Sequence, residues 1–119
     1  MEESKMIPGR VTVEPEVLET IARLTALGVP GVVRIAEKDV DRFLGLTGNS
    51  VSVMVRENRV KVDLHIIAGP DISLLRLGRA VQYEVTRAIQ TMIGMPVESV
   101  DVHIEDVVYP PPENWPEPR

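Results

Sequence analysis

The chain has 119 residues, 44% of them hydrophobic but only 3% aromatic, no cysteine, and a formal net charge of −5. That length predicts one domain with a small core filled by Val, Ile and Leu. The missing cysteines exclude disulfides, thiolate metal sites and cysteine nucleophiles, and the acidic balance disfavours general nucleic-acid binding and unaided adsorption to anionic lipid.

Met1-Glu2-Glu3-Ser4-Lys5 lacks the apolar run of a signal peptide, and no stretch approaches the roughly 18 apolar residues of a membrane span. The expectation is a cytoplasmic protein whose membrane contact, if any, runs through a partner. Residues 1–9 read as an extension, 10–109 as one domain and 110–119 as a proline-rich tail.

Taken in chain order, Gly9 to Val13 alternates like a short first strand. Pro15 suits the first position of a helix, where its missing N–H costs nothing. Val17, Ile21 and Leu24, with Leu18 and Ala22 beside them, make one apolar stripe. Gly28 is expected to close that helix in the left-handed conformation, with Pro30 as the stop. Gly31 to Ile35 restarts as a short strand. Ala36 to Ser50 is irregular, with Phe43 and Leu44 apolar enough to tuck onto the core.

A hairpin follows. Val51, Val53 and Val55 alternate with Ser52, Met54 and Arg56, then Glu57-Asn58-Arg59 turns the chain into Val60, Val62, Leu64 and Ile66 alternating with Lys61, Asp63 and His65. Asp71 or Ser73 caps a second helix running to about Ile93, with Leu74, Leu77, Val81, Val85, Ala88 and Met92 toward the core. Val100, Val102 and Ile104 alternate with Asp101, His103 and Glu105 in a last strand. Five of the ten prolines crowd into the final ten residues, which predicts polyproline II or disorder there.

Each element has a single apolar side, so the order β-α-(β)-β-β-α-β closes as an α+β two-layer sandwich. Two helices pack on one face of a three- to four-stranded sheet, and the other face is wet.

Four segments in order resemble the alkaline shock protein family, the Gls-type general stress proteins of bacterial envelopes. They are Leu27-Gly28-Val29-Pro30-Gly31-Val32, Val60-Lys61-Val62-Asp63-Leu64-His65-Ile66-Ile67, Val81-Gln82-Tyr83-Glu84-Val85 through Met92-Ile93-Gly94, and Val102-His103-Ile104-Glu105-Asp106-Val107-Val108-Tyr109-Pro110. The resemblance implies a small cytosolic protein tied to envelope homeostasis and alkaline or general stress, in a family where some members reach the membrane through an anchoring partner. It transfers no catalytic residues. The Ala36–Ser50 loop and the Pro/Trp tail depart from the shared pattern.

Three constellations bear on function. Asp63, His65, Asp101 and His103 fall on outward strand faces, and on neighbouring strands they would gather. Imidazole with carboxylate is a divalent-metal donor set. Cross-strand ion pairing, with Lys61 and Arg56 as partners, is the expected reading of the same residues, because neither HxH nor HExxH spacing is present. Arg76, Arg79, Tyr83 and Arg87 step along helix two as a basic stripe on an acidic protein. It is either a docking surface or an ordinary solvated face, and the solvated face is slightly favoured. Trp115, in a stiff extended tail, is equally a groove ligand or a side chain folded back on its own domain.

No P-loop, G-x-G-x-x-G or nucleophile motif occurs. The reading is a non-enzymatic interaction protein without cofactor, self-associating and docking to a protein partner, a membrane anchor among the possibilities. The alternative is a small divalent-metal- or ligand-binding protein using the histidine–carboxylate patch.

Overall fold

The computed structural model describes residues 8–36 and 50–109. Helix α1 (Pro15–Leu27) opens on the expected proline. It is followed by β1 (Val32–Ile35), β2 (Val51–Arg56), β3 (Arg59–Ala68), helix α2 (Leu74–Met92) and β4 (Val97–Val107). The two helices and four strands form the two-layer α+β sandwich, with α1 over β1 and β2 and α2 over β4.

Strand β3 is the axis of the sheet. β4 runs parallel to it along one edge. The other edge is shared end to end, β2 antiparallel against Arg59–Leu64 and β1 antiparallel against Ile66–Ala68. A parallel neighbour needs a long crossover, and α2 supplies it between β3 and β4. The β2–β3 turn contains two residues, Glu57 and Asn58, at φ 49° and 61°. Two left-handed residues in succession match the right-handed twist of the flanking strands.

The core lies between the layers. Val60, Val62, Leu64 and Ile66 are fully buried on one face of β3, against Leu18, Ile21, Ala22 and Ala26 of α1 and Leu77, Val81, Val85 and Ile89 of α2. Each such aliphatic side chain contributes roughly 1.5–3 kcal/mol of burial. Ser73 is the N-cap of α2, its hydroxyl accepting from the Arg76 N–H at 3.3 Å.

Several local expectations are corrected. Gly9–Val13 forms no strand; Val11 and Val13 stay exposed, too little apolar area to hold a strand in place. Gly28 is right-handed at φ −80°, its N–H donating to Leu24 and Thr25. The left-handed position falls instead at Gly31, φ 103°. The α1 stripe is rotated, with Val17 and Leu24 exposed and Ala22 and Ala26 inward. In α2, Leu74 and Met92 turn outward and Ile89 takes a core place. Phe43, Leu44, Trp115 and the proline-rich tail lie outside the described residues.

Candidate functional site

Because successive strand residues point to opposite faces, burying Val62, Leu64 and Ile66 turns Asp63 and His65 to the open side. The parallel register pairs Asp63 with Asp101, Leu64 with Val102 and His65 with His103. Both histidines thus share one row of the sheet face that no described helix covers. The chain had a signal for this that alternation alone does not supply. Val62-Asp63-Leu64-His65-Ile66 and Val100-Asp101-Val102-His103-Ile104 are near-copies, paired residue for residue.

The two imidazoles stack at 4.3 Å between centroids and 10° between planes. Asp63 lies at their Nε2 edges, with Oδ1 2.9 Å from His103 Nε2 and Oδ2 3.1 Å from His65 Nε2. On its far side His65 Nδ1 lies 2.6 Å from Oε2 of Glu105. A neutral imidazole has one N–H, so His65 donates to both carboxylates only as imidazolium. The side chain of His65 is 16% exposed, that of Asp63 41% and that of His103 49%. Partial burial pushes the Asp63 carboxyl up, but the hydrogen bond and charge of His103, joined by those of His65, outweigh it and hold the carboxyl below its ordinary value.

The expected residues are thus partly regrouped. Asp63, His65 and His103 present ligand atoms within 4.8 Å of one another. Asp101 stands beside them in register but, among the described residues, makes no hydrogen bond or ion pair with either ring, and Glu105 takes the second carboxylate position. Alternation puts Glu105 on the same face of β4 as Asp101 and His103, and the bulge after Ile104, where Ile67 pairs with Asp106, leaves it as the unpaired residue. Among the described residues neither Lys61 nor Arg56 bridges to these acids. Both instead line a concavity at the hairpin end with Glu57, Arg59 and Glu98.

A second feature sits on the flank. β4 is an edge strand, its outer side without a strand partner among the described residues. Between that edge and the start of α2 runs an open groove of about 400 Å³, lined by Leu74, Leu75, Gly78, Arg79, Gln82, Val102 and Ile104. Leu75 is 70% exposed. Arg79 Nη1 donates to Gln82 Oε1 at 3.0 Å, and Gln82 Nε2 donates to the Val100 carbonyl at 3.0 Å, bracing helix against strand. Arg76, Tyr83 and Arg87 are exposed along the same helix.

A small α+β sandwich with a polar open sheet face is the class that this geometry defines. The chain belongs to the alkaline shock protein 23 family, described as having a cell envelope-related function, whose model matches residues 3–109. It is 24% identical over 106 residues to the uncharacterized protein YqhY of Bacillus subtilis (strain 168), covering 85% of this chain and 78% of that one. It is 26% identical over 103 residues to the uncharacterized protein Spy1535 of Streptococcus pyogenes serotype M6, covering 84% and 80%. Among solved structures, the MamM CTD in its copper form superposes with a TM-score of 0.53 at 17% identity, covering 87% of this chain and 94% of that one. The MamM CTD spanning 215–293 gives 0.51 at 17% identity, covering 78% and 99%. These two likenesses concern the fold alone.

Proposed function

We propose that the chain is a non-enzymatic interaction protein of envelope homeostasis that works by self-association and by docking to a protein partner. The observation that carries this reading is the open apolar groove at the edge of β4 that has no strand partner among the described residues, with Leu75 exposed in its wall. An unpaired edge strand beside apolar side chains is a template for strand addition.

The occupant we favour is a second copy. β4 carries Glu98, Asp101, Glu105 and Asp106, whereas the adjoining helix face carries Arg76, Arg79 and Arg87 with Tyr83. One molecule therefore presents an acidic strand and a basic helix face, which is the charge complementarity a symmetric pair uses. Arginine and tyrosine also bring the contact area that interfaces favour. No helix among the described residues is long and apolar enough to cross a membrane. Residence at the envelope would accordingly run through an anchoring protein, with the Trp115 tail as a second contact.

Sedimentation velocity over a hundredfold concentration range tests this. Dimerisation weakened at least tenfold by Leu75→Glu or Arg79→Glu supports the reading. A strictly monomeric wild-type protein overturns it, as does a dimer indifferent to both substitutions.

A further inference from the structure

In the cluster on the sheet face away from the helices, a neutral His65 leaves one contact that only a proton or a cation can satisfy. Glu105 holds His65 by Nδ1 at 2.6 Å, which favours the tautomer with its proton on Nδ1. In that tautomer the Nε2 lone pair points at Asp63 Oδ2, 3.1 Å away. Two lone pairs at that separation repel unless a proton or a cation lies between them. His103 presents its own Nε2 to the other oxygen of the same carboxylate. Asp101 stands in the next register position, so negative charge converges here, and among the described residues no Lys or Arg bridges to it.

We propose that Asp63, His65 and His103 form a binding site for a divalent transition-metal ion of the zinc type, with Glu105 as the outer carboxylate that orients His65. Two imidazoles and one carboxylate suit zinc, copper or nickel and do not suit magnesium or calcium, which take all-oxygen sets. Metal–ligand bonds of about 2.0–2.2 Å at tetrahedral angles place neighbouring donor atoms about 3.3 Å apart. The 3.1 and 2.9 Å contacts use different oxygens of Asp63, and the three donor atoms lie within 4.8 Å of one another, so the cluster closes on a shared ion by up to about 1.5 Å. His103 and Asp63, both substantially exposed, have the freedom to make that adjustment.

Three protein donors leave at least one position open to solvent. The Glu105–His65 contact is the outer-carboxylate arrangement that fixes a ligating imidazole's tautomer and raises its basicity. A bound ion would tie β4 to β3 at the row where the two histidines meet. None of the three ligands lines the α2–β4 groove, so this site is tested separately from the docking reading.

The experiment is titration of zinc chloride into tag-free, chelator-stripped protein by calorimetry, with the imidazole resonances followed by NMR. The chain contains only two histidines, so both signals are assignable. The expected result is one ion per chain, both imidazoles shifting together, and a rise in thermal midpoint that chelator reverses. His103→Ala and Asp63→Asn should each weaken binding at least tenfold, and Glu105→Gln about tenfold. Asp101→Asn removes a neighbouring charge but no donor and should change affinity less than twofold. All four positions are partly or well exposed, and circular dichroism of each variant establishes that it folds. Binding indifferent to His103→Ala overturns the site. So does equal weakening by Asp101→Asn and Asp63→Asn, because that pattern means diffuse attraction.

Discussion

His65 and His103 lie side by side in the parallel β3–β4 pair, their rings stacked 4.3 Å apart and 10° from parallel. The separation is close to the ordinary inter-strand spacing of about 4.8 Å, so the stack is a consequence of register. An antiparallel pairing would oppose each histidine to a different neighbour. Parallel pairing of two near-identical strings brings like with like, and Asp63 sits at the Nε2 edge of both rings.

The Asp63 contact predicts how stability responds to acid in chelator-stripped protein. The folded carboxyl lies below its ordinary value, because its partial burial is outweighed by the hydrogen bonds and charge of the two histidines. A depressed carboxyl contributes stability that is fully present above the unfolded value and lost as pH falls through the folded one. The difference in urea midpoint between wild type and Asp63→Asn should therefore be constant at neutral pH and shrink toward zero below pH 3.8. A difference that grows as the acid limit is approached would show that Asp63 is destabilising as an anion.

The layered core predicts a sharp contrast between two leucines. Leu64 is fully buried at the centre of β3, where Ala leaves a cavity that the helices above cannot close. Leu64→Ala should cost about 2–5 kcal/mol in equilibrium unfolding. Leu75, on the groove wall, should cost under about 0.5 kcal/mol as Ala, because little of it leaves water on folding. Loss of more than about 1 kcal/mol at Leu75 would place it in the folding core and remove it from the docking surface.

The sandwich was legible in the chain because period-two alternation survives in β2, β3 and β4, and each strand has only one core face. The burial of Val60, Val62, Leu64 and Ile66 follows that alternation without exception. The helix faces were less legible. In α1, Val17 and Leu24 are spaced as well as Leu18 and Ala22, but Ala22 and Ala26 let the helix come close to the sheet and to α2, so the stripe settles one position over. The gathering of Asp63, His65 and His103 was half visible. Their outward direction follows from alternation, but their adjacency depends on which strand edges pair. Glu105 was visible on the polar face with Asp101 and His103; which of the two acids meets His65 was not, because that depends on the β3–β4 register.

Among the described glycines, Gly31 has the least tolerance for a side chain. At φ 103° it occupies a region that L-residues avoid, and an added Cβ would stand 2.6 Å from Ile72 Cδ1 and 3.1 Å from Leu77 Cδ1. Gly31→Ala should lower stability by about 1–3 kcal/mol. Adding Ile72→Ala relieves the steric part and leaves the backbone part, so the double variant should recover some of what Gly31→Ala loses. Full recovery would mean that the conformation itself is unstrained.

The turn between β2 and β3 predicts a stabilising change. Glu57 and Asn58 both adopt left-handed φ, and a side chain such as Glu finds that region costly. Asn followed by Gly is the pair this two-residue turn prefers. Replacing Glu57 by Asn and Asn58 by Gly should raise unfolding free energy by roughly 0.5–1.5 kcal/mol, in the range typical of such single-site improvements. Both residues are exposed and distant in register from the histidine row, so zinc binding should be unaffected. Chemical denaturation measures the first effect and calorimetry the second. A destabilised double variant would mean that the Glu57 side chain makes contacts that outweigh its backbone strain.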